Sequence, residues 1–254
     1  MITSKTNPLI KKARSLRQSR ARNETGLFLI EGLQQVGAAI EAGWEFEALL
    51  HAPELLASPF GHELLSRFRG RLEEVSAVVL ESIAEKEHPQ GIVAIAKQRH
   101  PTLSMIVPTG CGTALVCPQD PGNVGTVLRT LDAIGGSALY LLDGGVDPYH
   151  PTAVRASVGA LFAIPVVEAG FEEFLDWRRR HGISLVGTSA RSKTDYREAS
   201  PKAPWILLLG SEQKGLSESQ KRSCDITVSL PMHGHATSLN LAVAAGILLF
   251  AYAD

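Results

Sequence analysis

Three loops between residues 118 and 240 of this 254-residue chain carry polar side chains directly after apolar runs. Each apolar run is predicted to be a buried strand, and each loop leads into a predicted helix. In parallel α/β sheets, ligands bind beyond the carboxyl ends of the strands, where helix N-termini present free amides. The polar residues that could act on a ligand at these places are Asn123, Arg129, Glu212, Ser238 and Asn240.

The first loop, residues 118–123, is a proline–glycine turn. Asn123 is predicted to be the N-cap of a helix that begins at Val124. Arg129 lies off the apolar face of that helix. It is interpreted either as an ordinary surface arginine or as a cation held near the strand end to contact a phosphate or a ribose.

In the second loop, Gly210 ends an apolar run, and the missing side chain would let a ligand approach the backbone closely. Glu212 follows it, either as an exposed loop acid or as a carboxylate directed towards the ligand. Ser217 and Gln220 then have the spacing of a capping box, which predicts the start of the next helix.

The third loop contains a proline and a glycine and leads to Ser238, predicted to be the first residue of an apolar helix. Ser238 could be an N-cap and nothing more. Asn240 would lie two positions into that helix, where a polar side chain among apolar neighbours needs a hydrogen-bond partner.

The elements around these loops form two regions. Residues 1–97 have the pattern of a small α/β unit, residues 98–104 of a polar linker, and residues 105–254 of a parallel sheet with helices on both faces. The strands predicted in the first region are 27–30, 48–51, 74–79 and 91–96, with a helix over 31–42 that stops at Gly43. In the second region the predicted strands are 114–117, 138–142, 162–167, 183–186, 206–209 and 226–230, and the predicted helices are 124–134, 151–160, 171–180, 217–223 and 238–252.

Composition and motif content exclude several classes of protein. Hydrophobic residues make up 44% of the chain and charged residues 20%, with a net charge of −1, as in ordinary globular proteins. Three cysteines without metal-ligand spacing indicate a reducing compartment, which favours the cytoplasm. The chain contains neither a P-loop pattern nor a G-x-G-x-x-G turn after a strand. His233 and His235 lack a third ligand nearby, so no metal is expected.

The first 23 residues are basic and contain no acidic residue. This composition is typical of an organellar transit peptide, and it is also typical of a segment that binds RNA phosphates. The positive residues of this segment are Lys5, Lys11, Lys12, Arg14, Arg17, Arg20 and Arg22.

Taken together, the three loops resemble the motifs of the SpoU/TrmH family of RNA 2′-O-ribose methyltransferases, in the SPOUT superfamily. Asp120 to Arg129 matches D-P-x-N-x-G-x-x-x-R, Gly210 to Ser217 matches G-x-E-x-x-G-[LI]-S, and Leu230 to Asn240 matches [IL]-P-M-x-G-x-x-x-S-L-N. Arg155 begins a segment similar to the family's R-A-S-x-G. The N-terminal half is similar to the family's ribosomal-protein-like substrate-binding domain. Two residues, His150 and Leu131, depart from the family's pattern. Neither is one of the five polar residues, and both leave the identity of the substrate undetermined.

The resemblance implies a knotted C-terminal methyltransferase domain, a homodimer and S-adenosylmethionine as cofactor. It implies that Gly210, Leu230 and Leu239 bind the cofactor largely through backbone atoms, with further contacts from Thr188 and Met232. RNA would be bound by Lys5, Lys11, Lys12, Arg14, Arg17 and Arg155.

The expected activity is methyl transfer to a ribose 2′-hydroxyl, with ribosomal RNA favoured by the two-domain layout. In this scheme Arg129 contacts the ribose and a phosphate, while the other four polar residues orient it and the acceptor. An arginine side chain stays protonated near neutrality, so we interpret Arg129 as an electrostatic group in preference to a base. The alternatives are a tRNA 2′-O-methyltransferase and an RNA-binding or ribosome-assembly module with a vestigial cofactor pocket.

Overall fold

The chain folds into two compact units and passes between them more than once. The computed structural model describes residues 1–85 and 88–253. The first unit consists of Met1–Arg99 and Tyr149–Ala163, and the second of His100–Pro148 and Ile164–Asp254. The segment 149–163, assigned from the sequence to the second region, packs within the first unit. The boundary at Arg99 lies inside the predicted linker.

The bounds of the elements follow in chain order. The strands are β1 (Leu27–Glu31), β2 (Phe46–His51), β3 (Leu72–Glu74), β4 (Ile92–Lys97), β5 (Cys111–Val116), β6 (Leu139–Leu142), β7 (Val166–Ala169), β8 (Ser184–Thr188), β9 (Trp205–Leu209) and β10 (Ile226–Val228). The helices are α1 (Pro8–Ser15), α2 (Ser19–Thr25), α3 (Leu33–Glu41), α4 (Pro59–Arg67), α5 (Ala77–Ile83), α6 (Pro121–Ala133), α7 (Pro151–Ser157), α8 (Ala160–Ala163), α9 (Phe171–Arg180), α10 (Glu218–Arg222) and α11 (Leu241–Tyr252).

The first unit is built on a mixed sheet with the strand order β1-β4-β2-β3. Strand β4 runs antiparallel to both of its neighbours, while β2 and β3 are parallel. Apolar side chains of α1 and α5 pack against each other and against the sheet, with Ile10, Leu80 and Ile95 fully buried. Helix α3 ends as predicted, because Gly43 adopts a φ of +62° that favours glycine.

Two predicted strands are wrong in part. Residues 77–79, predicted as the end of a strand, form the first turn of α5. Phe162, predicted as the start of another strand, belongs to α8, and β7 begins only at Val166. Both errors have the same physical reason: a short apolar run can be buried equally well as a strand or as a turn of helix.

The second unit contains the predicted parallel sheet. Its strand order is β10-β8-β9-β5-β6-β7, and every neighbouring pair is parallel. Strands β5, β6 and β9 are buried at each residue, as expected for strands covered on both faces. From β5 the chain moves outwards to β6 and β7 and later returns to β9 on the other side. Loops that leave the sheet in opposite directions open a crevice at the carboxyl ends of the strands.

Helix α11 packs against α6 and β9. Its residues Leu248 and Leu249 are buried, but Val243, Ile247 and Phe250 are exposed, so this apolar helix is covered on one face only in the single chain. Across the residues that the structure describes, no helix has the length and apolar character needed to cross a membrane.

Candidate active site at the strand ends

A cleft of about 860 Å³ opens where β8, β9 and β10 end. Thr188 and Val228 are the last residues of β8 and β10, and Gly210 directly follows β9. All three line the cleft. The five residues predicted to bind a cofactor lie together in its wall: Thr188, Gly210, Leu230, Met232 and Leu239.

The turn after β9 accepts only glycine at its first position. A Cβ on Gly210 would lie 2.0 Å from the backbone carbon of Gly215, closer than any real contact. The turn closes by a hydrogen bond from the amide of Gly215 to the carbonyl of Ser211, at 2.8 Å. The missing side chain at Gly210 therefore makes room for the chain's own turn and not, as predicted, for a ligand. The turn carries Glu212, which lines the cleft.

A network of side-chain hydrogen bonds joins all three loops. Asn123 donates from Nδ2 to Oε1 of Glu212 at 3.2 Å. Asn240 donates from Nδ2 to Oδ1 of Asn123 at 2.9 Å. Asn123 is only 7% exposed, and both ends of its amide are satisfied by these bonds, as a buried polar group requires. Glu212 and Asn240 also line the cleft.

Glu212 binds the backbone of the first loop in addition to the side chain of Asn123. Its carboxylate accepts from the amides of Gln119 at 3.1 Å and Asp120 at 3.3 Å. Hydrogen bonds to an ionised acceptor are stronger than those between neutral groups. The acid interpreted as either an exposed loop residue or a site carboxylate therefore ties the loop after β5 to the loop after β9.

The structure corrects the predicted caps of α6 and α11. Asp120 caps α6 and accepts from the amide of Gly122 at 2.7 Å, so Asn123 lies inside the helix. Proline at the first helical position sets this start, three residues earlier than predicted. Asn240, and not Ser238, caps α11: its Oδ1 accepts from the amides of Ala242 at 2.9 Å and Val243 at 3.3 Å. The predicted capping box of Ser217 with Gln220 is present.

Ser238 and Arg129 stand apart from the network. Ser238 is exposed and lines the cleft. Arg129 is exposed on α6, is not part of the cleft wall, and forms no hydrogen bond or ion pair with the residues that the structure describes. Of the five predicted catalytic residues, the structure therefore brings together Asn123, Glu212 and Asn240, with Ser238 beside them, and leaves Arg129 outside.

The basic residues predicted to bind RNA differ in their surroundings. Lys12 pairs with Glu47 at 2.8 Å, and Arg17 donates to the carbonyls of Ile83 and Ala84. Arg155 pairs with Glu85 at 3.1 Å. These pairings hold the side chains within the first unit. The members of the set that are exposed and without such bonds in the described ranges are Lys5, Lys11 and Arg14.

Two groups at this site were not predicted from the sequence. The amides of Gln119 and Asp120 were not foreseen as donors to Glu212, since backbone donors leave no mark in residue type. The cations Arg191, Lys214 and Lys221 line the cleft. Arg191 and Lys214 could have been identified as cations in loops that follow predicted strands.

The described residues contain no group of three or more histidine, cysteine, aspartate or glutamate side chains that could hold a metal ion. A cleft of this size at the carboxyl ends of a parallel sheet is typical of α/β proteins that bind a small organic ligand there.

Comparison with known proteins identifies the family. Residues 113–250 match the SpoU rRNA Methylase family, and residues 7–94 match the MRM3-like substrate binding domain. The chain therefore belongs to the SpoU rRNA methylase family. The family and the α/β fold class predicted from the sequence are confirmed.

Individual relatives cover nearly the whole chain. A 23S rRNA (uridine(2479)-2′-O)-methyltransferase of Streptomyces viridochromogenes is 35% identical over 90% of this chain and 83% of its own length. The 23S rRNA (guanosine(2553)-2′-O)-methyltransferase RlmP of Bacillus subtilis is 30% identical over 98% and 97%. The structure of an AdoMet-bound rRNA methyltransferase from Sinorhizobium meliloti is 37% identical, with a TM-score of 0.90 over 98% of this chain and 95% of that one.

Proposed function

We propose that this protein transfers a methyl group from S-adenosylmethionine to a ribose 2′-hydroxyl of RNA, with ribosomal RNA as the substrate. One observation carries the proposal: the hydrogen-bonded set Asn123–Glu212–Asn240 stands at the cleft where the predicted cofactor residues converge. Membership of the SpoU family and the relatives named for 23S rRNA 2′-O-methylation agree with it.

The cleft fits S-adenosylmethionine. Its volume of about 860 Å³ lies within the usual range for small-molecule sites. Leu209, Leu230 and Leu239 would supply apolar contacts for a purine ring, and Gly210 lines the same cleft. When bound, the cofactor supplies a sulfonium methyl group that is already activated for transfer.

The protein's own task is to align the acceptor. Correct placement of the 2′-oxygen can lower the barrier by several kcal/mol. Asn123, Glu212 and Asn240 lock the three loops that surround the methyl position, and the Ser238 hydroxyl can hydrogen-bond the acceptor ribose. Arg129 binds the ribose or its phosphate as a cation and makes the hydroxyl proton easier to lose. Full activity of Arg129→Lys would contradict a forked contact, because lysine keeps the charge but loses the paired N–H groups.

The same proposal includes a homodimer formed through the second unit. Val243, Ile247 and Phe250 present an apolar stripe on α11 that is exposed in the single chain. Helix α6, which carries Arg129, packs against α11. Since Arg129 lies outside its own cleft wall, we propose that it acts on the acceptor of a second copy docked on this stripe.

Mixed dimers test this arrangement. Arg129→Ala removes the cation, and Gly210→Ala disrupts the turn of the cofactor site. If Arg129 acts on the partner's cleft, a mixture of the two inactive variants contains one complete site per heterodimer and regains activity. If Arg129 acts within its own chain, the mixture stays inactive.

Further features belong to this proposal. The segment after β10 is threaded through a loop to form a knot; in support, α11 packs near the middle of the sheet although β10 lies at its edge. A crystal structure traced through residues 229–240 tests the threading.

The two regions divide the function between them. Residues 1–97 bind RNA through their exposed basic side chains, residues 98–104 form the linker, and residues 105–254 carry out the methyl transfer. No metal takes part. The protein acts in the cytoplasm, where its three free cysteines stay reduced, and cell fractionation tests that location.

Two measurements separate the proposal from its alternatives. Calorimetric titration with S-adenosylmethionine should give saturable 1:1 binding per chain, whereas a vestigial pocket would give none. The protein should also be incubated with tritiated S-adenosylmethionine and either purified ribosomal RNA or purified tRNA. We expect the tritiated methyl group to appear in ribosomal RNA. Label in tRNA alone would favour the tRNA alternative.

A further inference from the structure

Three basic side chains line the wall of the cleft beside the predicted cofactor residues. Arg191 follows β8, Lys214 lies in the turn after β9, and Lys221 belongs to α10. They come from three different segments of the second unit. The fold therefore gathers positive charge at this one opening, although the whole chain has a net charge of −1.

Two of these cations have side chains that form no direct bond within the described part of the chain. The side chains of Arg191 and Lys214 are exposed and form no hydrogen bond or ion pair within the described ranges 1–85 and 88–253. Lys221 donates to Glu218 at 2.9 Å, and that carboxylate side chain is 76% exposed. The hydrogen bond and the charge of Lys221 are the main reasons why the pKa of Glu218 is lowered. The nearby charges of Arg222 and Arg191 lower it further. The described wall of the cleft therefore carries three cations against two carboxylates, Glu212 and Glu218, which leaves an excess of positive charge.

The chemistry of the acceptor places anions at the same opening. A ribose 2′-hydroxyl within an RNA strand has a phosphate on its 5′ side and another on its 3′ side. When the 2′-oxygen reaches into the cleft, these phosphates stay at the entrance. Arginine and lysine side chains are the usual partners of backbone phosphates.

We propose that Arg191 and Lys214 bind the phosphates that flank the acceptor ribose, which makes the cleft entrance itself part of the RNA-binding surface. This inference rests on the proposed function. The first-unit cations Lys12, Arg17 and Arg155 are held in contacts of their own, whereas Arg191 and Lys214 are free to meet an incoming strand. The cofactor brings one carboxylate, but an RNA strand brings a charge at each nucleotide, which better matches several separate cations.

The double variant Arg191→Ala/Lys214→Ala tests this inference, with Lys193→Ala/Lys202→Ala as a matched control. Both controls are exposed lysines of the same unit that lie outside the cleft wall. The probe is unmodified 23S ribosomal RNA transcribed in vitro, and its binding to the full-length protein is measured between 50 and 200 mM salt. S-adenosylmethionine affinity is measured by calorimetry on the same preparations.

Loss of two phosphate contacts should weaken RNA binding on the order of tenfold at the low end of the salt range and reduce the slope of log K against log salt by about 1.4. The control should match the wild type, and the cofactor affinity of both variants should be unchanged. Equal RNA binding by the two double variants would overturn the inference. Weaker cofactor binding with normal RNA binding would assign the cations to the cofactor carboxylate and also overturn it. If the wild type neither binds nor methylates the RNA, the proposed function fails as well.

Discussion

Asn240 donates a 2.9 Å hydrogen bond from Nδ2 to Oδ1 of Asn123, across 117 positions of the chain. With its other amide atom, Oδ1, Asn240 caps α11. One side chain therefore begins the C-terminal helix and fixes that helix to α6. Glu212 extends the contact to the turn after β9 through Asn123. This arrangement explains why three loops that are distant in sequence can act as one site.

The two roles of Asn240 can be separated by substitution. Asn240→Asp keeps a capping oxygen but replaces the donor by a carboxylate oxygen that repels Oδ1 of Asn123. We expect a loss of about 1–3 kcal/mol of stability, because Oδ1 of the buried Asn123 loses its donor, and a kcat reduced on the order of 100-fold, as for a misplacement of about 1 Å. Asn240→Ala should lose the same activity and about 1 kcal/mol of stability in addition, because the cap is lost. Aspartate activity close to wild type would show that the bond to Asn123 does not position the site.

The glycine pair after β6 supports the first loop. A Cβ on Gly145 would lie 2.5 Å from the carbonyl oxygen of Pro118, whereas a Cβ on Gly144 would meet nothing within 4 Å. Both residues have positive φ, +80° at Gly144 and +116° at Gly145, so both alanine variants carry backbone strain of roughly 1 kcal/mol or more. Gly145→Ala should also displace Pro118 and the neighbouring amide of Gln119 that binds Glu212.

Methyl-transfer rates and urea unfolding on the two variants check this prediction. Gly144→Ala should lose stability only, and Gly145→Ala should lose both stability and activity. Equal activities of the two folded variants would contradict the proposed support of the loop by Gly145.

Arg178 is a buried cation that ties β10 into the second unit. It donates to Asp225 at 2.7 Å and to the carbonyls of Ile183 at 3.1 Å and Ser223 at 2.6 Å. Because hydrogen bonds to charged groups contribute strongly, Arg178→Ala should lower the free energy of unfolding by roughly 3 kcal/mol. The neighbouring Arg179 is exposed, and Arg179→Ala should change the free energy of unfolding by less than about 0.5 kcal/mol. Similar urea midpoints for both variants would contradict this assignment.

His51 should make folding sensitive to acid. Burial, the largest effect, lowers the pKa of His51 below its usual 6.5, with Glu74 opposing and His62 assisting that shift. The unfolded chain then takes up this proton more readily than the folded chain. The stability from His51 is therefore complete above pH 6.5 and declines as the pH falls below that value. The free energy of unfolding, measured in urea at pH 7.5 and at pH 5.5, should fall less between these two values for His51→Gln than for the wild type. The control His235→Gln, in an exposed loop, should behave like the wild type.

The sequence predicted most strands because a buried strand needs a continuous apolar run, as β5 and β9 show. It could not decide between strand and helix for the short run around Phe162, since both bury the same residues. The passage of segment 149–163 into the first unit was also not predicted, because nothing in its composition distinguishes it from the helices of the second unit.

Within the site, the residue types were predictable and their partners were not. The sequence indicated that Asn240 needs a hydrogen-bond partner, but only the fold identifies Asn123. Asp120 and Asn123 are both good caps, and the choice between them depends on the proline that follows Asp120. Arg191 and Lys214 resemble other exposed loop cations until the cleft is known. Their positions after predicted strands place both at one edge of the sheet, but only the tertiary structure shows that both line the cleft.

The central claim is tested most directly by locating the methyl group on the product. The protein is incubated with unmodified 23S ribosomal RNA and methyl-labelled S-adenosylmethionine, and the RNA is digested to nucleosides that are analysed by mass spectrometry. We predict that the label is found on ribose, as a 2′-O-methylnucleoside, and that it is absent from the Asn123→Ala reaction. Label on a base, or no label transferred by the folded and cofactor-binding wild type, would contradict the account.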